Sequence, residues 1–122
     1  MPKTSNIHCR SRFRIMSGDL IALGPGKVGL LEFIDHMGSI SEAARQSNIS
    51  YRRAWDMVNT MNQCFSKPLV ESVTGGKGGG GATLTSLGKR VVEIYRNMEK
   101  KASMATQEEW KSLKNHLKND PQ

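Results

Sequence analysis

The chain has 122 residues, 18 of them Lys or Arg against 11 Asp or Glu, for a formal net charge of +7. That length suits one domain burying roughly two-thirds of its unfolded surface, which argues against a two-domain enzyme built around a large substrate cavity. With 37% hydrophobic and 24% charged residues, no apolar run near the ~18 residues of a membrane span and no signal-peptide core, it reads as a cytoplasmic globular protein.

Cys9 and Cys64 are too few for a disulfide framework. The basic excess points to polyanionic partners, and its distribution says where. Residues 1–27 carry five bases against one acid, whereas residues 28–38 carry only Glu32 and Asp35. Residues 39–90 carry seven bases against three acids, and residues 91–122 are close to balanced, six against five. The positive field belongs to the N-terminal arm and the middle of the chain.

Residues 1–9 hold few apolar side chains and read as a flexible tail. Residues 10–16 alternate, with Phe13 and Ile15 on one face and Arg12 and Arg14 on the other, the period of a strand. Ser17-Gly18-Asp19 signals a turn, and residues 20–23 supply the returning strand. Gly24-Pro25-Gly26 breaks the chain, with Pro25 suited to a helix start. Residues 28–37 then form a helix with Leu30, Leu31, Ile34 and Met37 on one face, ended by Gly38.

Ser39-Ile40-Ser41-Glu42 fits a capping box that opens a short helix, with Ala43 and Ala44 as small residues for a close crossing. It stops near Ser47. Asn48-Ile49-Ser50 turns the chain, and Ser50 caps a second helix from Tyr51 to about Phe65. Two helices so joined, the second longer and more basic, make a helix-turn-helix pattern. At ~100° per residue, Ala54, Val58, Met61 and Phe65 fall on a single apolar stripe. Arg52, Arg53, Asp56, Asn59, Thr60 and Gln63 fall opposite it. Such side chains can read base edges and hold phosphates in a major groove, although a plain solvated face has the same composition. Trp55 lies on the boundary, placed either to pack the helix or to touch DNA.

After Pro68, residues 69–74 alternate as a strand, a glycine-rich segment follows at 75–81, and residues 82–84 return. The glycines leave backbone N–H groups uncovered and Lys77 adds a charge, so the tip can approach phosphates. A phosphate-binding P-loop needs Gly-Lys-Ser/Thr leading into a helix, whereas Gly78 follows Lys77 here and a strand comes next. A flexible linker is the other reading. Thr85 caps a long helix with Leu87, Val91, Ile94, Tyr95, Met98 and Ala102 at helical spacing. A second capping box at residues 106–109 precedes Trp110, Leu113 and Leu117, so the helix is expected to kink or restart there. A stripe this long exceeds the needs of a small core and points to a dimerisation surface, with packing inside one chain as the other reading. Whether residues 103–122 continue the helix or fold back is open at this level.

From Gly24 to about Met98 the sequence resembles the N-terminal DNA-binding domain of the ModE family of molybdate-responsive regulators. The carrying residues are Gly38-Ser39-Ile40-Ser41 with Ala43-Ala44, then Ile49-Ser50-Tyr51-Arg52-Arg53-Ala54-Trp55. Leu69-Val70-Glu71, the run Thr74-Gly75-Gly76-Lys77-Gly78-Gly79-Gly80-Gly81-Ala82, and Leu84-Thr85 with Gly88 complete the match. Helix-turn-helix residues alone would also suit LysR-type regulators. The resemblance implies an α+β, mainly α fold, a winged helix-turn-helix over residues 10–90. A long C-terminal dimerisation helix would occupy 91–122. It further implies a homodimer on a palindromic operator in double-stranded DNA, tied to molybdate transport or molybdenum metabolism.

The family's molybdate-binding half has no counterpart in these residues, so no cofactor is expected and the effector is unknown. The expected DNA contacts are Ser39, Ser41, Ser50, Tyr51, Arg52, Arg53, Trp55, Asn59 and Thr60, with Gly76, Lys77 and Gly78 at the wing. Arg52 and Arg53 are the expected base readers. His8, Cys9, His36, Cys64 and His116 lack metal-ligand spacing, and no catalytic constellation can be argued, so no enzyme is expected. An oxyanion-binding or protein-interaction module, or a nonspecific nucleic-acid binder, are the alternative functions.

Overall fold

The helices begin where the chain can satisfy, or do without, its first backbone donors. In the computed structural model, which describes residues 7–73 and 81–118, Pro25 opens helix α1 (Pro25–Met37). Its missing N–H is one the first turn leaves unpaired anyway. The helix therefore starts earlier than the apolar periodicity from Val28 suggests. Gly38 ends it in the left-handed region at φ 69°, with its N–H on the Ile34 carbonyl.

Ser39 Oγ accepts the Glu42 N–H at 3.1 Å and caps α2 (Ile40–Gln46). Only this half of the expected capping box is made among the described residues. The Glu42 carboxylate turns instead to Arg45, 3.3 Å away and one turn along. Ser50 caps α3 (Tyr51–Cys64) by taking the Arg53 N–H at 3.0 Å. Between them, Asn48 adopts φ 60°, a left-handed turn residue. Thr85 repeats the device for α4 (Ser86–Ala105), accepting from Gly88 N–H at 2.9 Å.

The last helix, α5 (Gln107–Lys114), restarts after Thr106 without a side-chain cap. The capping box expected there is not made: Thr106 sits at φ −105° and ψ 12° rather than in the extended conformation of the bonded caps, and its hydroxyl donates back to the Ala102 carbonyl at 2.8 Å.

The strands pair as two antiparallel hairpins. In the first, β1 (Ile15–Ser17) meets β2 (Leu20–Leu23) across a turn at Gly18, φ 61°. The strand expected over 10–16 is thus shorter, since β2 gives way to α1 before residues 10–14 can be paired. Their alternation survives in burial: Phe13 is half-buried while Arg12 and Arg14 are exposed. Tyr95 of α4 holds Phe13 in place, donating to its carbonyl at 2.8 Å and meeting its ring edge-on at 6.4 Å. The second hairpin joins β3 (Val70–Val73) to β4 (Gly81–Leu84), with Val70 opposite Leu84 and Val73 opposite Gly81. Leu69 precedes the ladder rather than opening it. Residues 74–80 lie outside the described residues.

One core joins these pieces. Leu30, Leu31 and Ile34 of α1 meet Ala43 and Ala44 of α2, Ala54, Val58 and Met61 of α3, and Leu69, Leu84 and Tyr95. Full burial of each larger aliphatic side chain contributes about 1.5–3 kcal/mol. The start of α4 rests directly on backbone: a Cβ at Gly88 would lie 2.2 Å from the Leu69 oxygen. Only glycine permits that approach. The described residues thus form five helices and two small antiparallel sheets, mainly helical and compatible with a winged helix. No helix among them is long and apolar enough to cross a membrane.

Candidate nucleic-acid interface

Because Ala54, Val58 and Met61 seat α3 on the core, its opposite face is turned outward. The Arg52 side chain is 87% exposed, with its Nε 3.7 Å from the Asp56 carboxylate. An ion pair this open to water holds little energy, leaving the guanidinium available to another partner. Arg53, Asn59 and Gln63 are exposed as well. Thr60 differs from its neighbours. It is half-buried and its hydroxyl donates to the Asp56 carbonyl at 3.0 Å, so its donor is used within the helix.

Tyr51 and Trp55 act as a pair one turn apart. Trp55 is half-buried against the core, and its indole N–H donates to the Tyr51 hydroxyl oxygen. The rings meet edge-on, with centroids 6.4 Å apart and planes at 79°. Tyr51 remains 54% exposed, and its own O–H hydrogen points to no partner among the described residues. The indole of Trp55 thus packs, as one of its two readings expected, and its N–H orients the Tyr51 hydroxyl at the helix entrance.

Ser39 and Ser50 are the caps described above, so their oxygens already accept backbone N–H groups. Ser41 is exposed in the first turn of α2. The structure therefore brings Ser50, Tyr51, Arg52, Arg53, Trp55 and Asn59 onto one helix, with Ser39 and Ser41 on the helix packed beside it. Gly76, Lys77 and Gly78 lie outside the described residues.

Two residues, one beside α3 and one within it, escaped the sequence reading. Lys27 of α1 donates to the Ile21 carbonyl at 2.8 Å. Burial is the main cause lowering its pKa below the ordinary lysine value, the Arg53 cation lowers it further, and nearby Cys64 opposes them. A third cation thus lies beside α3. Asn62 is the other, its side chain bonded to the backbone of Leu69 and Val70. Its position between the apolar stripe and the polar face was the available signal.

Farther from α3, Arg96 grips Glu32 through two bonds, at 2.9 and 2.5 Å, and reaches Glu99 at 2.7 Å. The Glu32 carboxylate is the main cause raising the Arg96 pKa. Tyr95 is also raised, chiefly by burial and then by Glu99. Both side chains brace α4, Arg96 against α1 and Tyr95 against the N-terminal arm.

No protein-family model matches the chain. Curated relatives do. The "DNA-binding transcriptional dual regulator ModE" of Escherichia coli (strain K12) is 51% identical over 71 residues, 58% of this chain and 27% of that protein. The "Molybdenum transport protein ModE" of Azotobacter vinelandii is 46% identical over 78 residues, covering 64% and 29% of the two chains. The "Molybdenum-pterin-binding protein MopB" of Rhodobacter capsulatus is 44% identical over 77 residues, 63% and 28%. The matched segment is therefore less than a third of each of these relatives, and over that segment the chain is similar to the ModE regulators.

Proposed function

We propose that the chain is a sequence-specific regulator of transcription of the ModE type, bound as a homodimer to a palindromic site in double-stranded DNA. The observation that carries this reading is α3. It is capped at its entrance, seated by three buried side chains, and turned so that Arg52, Arg53, Asn59 and Gln63 face outward. Side chains of those types match the donor and acceptor patterns of base edges in a major groove. The hairpin β3–β4 is the wing of this reading, and Lys77 with Gly76 and Gly78 is its phosphate contact. Ser39, Ser41, Ser50 and Tyr51 contact the sugar-phosphate backbone, which positions α3 without reading sequence.

The names of the relatives favour a link to molybdenum and a non-enzymatic role, since they are called transcriptional regulators and a molybdenum transport protein. Exposed apolar side chains along α4 and α5, among them Ile94, Met104 and Leu113, are the surface on which a second copy docks. The test of the reading is discrimination between a selected duplex and a scrambled one. Arg52→Ala and Arg53→Ala are each expected to cost about 1–3 kcal/mol on the selected duplex and much less on the scrambled one. Unchanged discrimination in both variants overturns the reading.

A further inference from the structure

Asn62 is half-buried on the flank of α3, next in sequence to the fully buried Met61. Its Oδ1 accepts the Leu69 N–H at 2.8 Å and the Val70 N–H at 3.3 Å. Its Nδ2 donates to the Val70 carbonyl at 3.1 Å. Two amide donors and one carbonyl acceptor require this amide orientation.

The partners matter as much as the bonds. Among the described residues the sheet β3–β4 has two strands, so the outer edge of β3 presents backbone groups with no ladder partner there. Asn62 satisfies both the donor and the acceptor of Val70 on that edge, as a third strand would. Leu69, bonded to the same amide, passes the constraint on. Its carbonyl accepts the Thr85 N–H at 2.9 Å, where β4 gives way to α4. One side chain therefore ties the end of the outward-facing helix to the root of the hairpin.

We infer that Asn62 is a positioning residue, setting the direction of the β3–β4 hairpin against the exposed face of α3 so that both meet one duplex together. The inference rests on the DNA-binding reading above. Contacts from α3 to base edges carry sequence discrimination, whereas contacts from the hairpin to phosphates carry sequence-independent, salt-sensitive affinity. Loss of the tether leaves the first in place and weakens the second. Asn62 thus acts on a different observable from Arg52.

The experiment uses the full chain and two probes: a duplex selected by the wild-type chain from a random pool, and a scrambled duplex of the same length. Affinities are measured over a range of salt concentrations for wild type, Asn62→Ala, Asn62→Asp and Arg52→Ala. Asn62→Ala is expected to weaken both duplexes alike, by about tenfold at low salt, with a salt slope shallower by about one unit. Asn62→Asp keeps both accepted bonds, loses the donated one and sets a carboxylate oxygen against the Val70 carbonyl. Its loss is expected in the same direction and smaller, about threefold on both duplexes.

Wild-type affinity and slope in Asn62→Ala overturn the inference. So does a loss confined to the selected duplex, the pattern expected of Arg52→Ala. If Asn62→Ala does not fold, as read by its helical circular dichroism, Asn62→Asp decides: a shallower slope supports the tether and an unchanged slope overturns it. A wild-type chain that selects no duplex and binds neither probe overturns the DNA-binding reading, and the inference with it.

Discussion

Helices α3 and α5 carry apolar residues at helical spacing, yet only α3 has a core to place them in. Ala54, Val58 and Met61 of α3 are each at most 2% exposed. In α5 no residue is buried, Leu113 is 63% exposed, and Leu117 just beyond it is 50% exposed. The reason is what surrounds each helix. Helix α3 packs on α2, on α1 and on β2, three surfaces that together close over its stripe. Helix α5 packs on the end of α4 and leaves a cleft of about 500 Å³ toward the N-terminal arm, lined by Ile7, Cys9, Ala102, Trp110 and Leu113 among others. An amphipathic pattern dictates a face, and a second surface must exist before that face is buried. For α5, the second surface proposed here is another copy of the chain.

The contrast can be broken most severely at the one place where α4 touches the α3–hairpin unit through bare backbone. Gly88→Ala puts a methyl group into the Leu69 carbonyl and is expected to lower stability by about 3 kcal/mol in urea unfolding. A loss below about 1 kcal/mol would mean that α4 can move away cheaply.

The next largest effect belongs to α5. Replacing Leu113 and Leu117 together by Asn is expected to weaken self-association at least about tenfold in sedimentation equilibrium. Unfolding of the dilute chain should move by no more than about 0.5 kcal/mol. If stability falls and association does not, these leucines serve the fold and the proposed surface is wrong.

The caps sharpen the comparison at the smallest scale. Ser50→Ala removes a bonded cap from α3 and is expected to cost about 1 kcal/mol. Thr106→Ala removes a hydroxyl that caps no N–H of α5 and only returns to the Ala102 carbonyl of α4, and its effect should stay within about 0.5 kcal/mol. Equal losses would erase the distinction drawn between the two helix starts.

Much of the site was legible because its causes are local. Ser39, Ser50 and Thr85 cap helices three residues ahead of themselves, and Gly38 and Gly18 take left-handed conformations at the breaks their neighbours imply. The stripe of Ala54, Val58 and Met61 follows from helical periodicity alone, and with it the outward set of Arg52, Arg53 and Asn59. Thr60, expected among the outward contacts, is half-buried for a reason equally physical. Its hydroxyl finds a backbone acceptor four residues back, an option open to every helical threonine and decided by what crowds it. The arm was read as a longer strand because alternation records burial rather than pairing, and Phe13 is buried by Tyr95 rather than by a ladder.

By itself, then, the sequence determined the caps that open α2, α3 and α4, the face that α3 buries, and which of its polar residues are turned outward. These depend on a residue's bonds to neighbours a few positions away. The tertiary structure alone decided the contacts between distant segments: Phe13 with Tyr95 across 82 positions, Glu32 with Arg96 across 64, and Gly88 against Leu69. It also decided that Asn62, marked in the sequence only by its position between the apolar stripe and the polar face, would meet the edge of a strand. No periodicity encodes such meetings, because they arise only once packing of the apolar faces has fixed how the elements lie against one another.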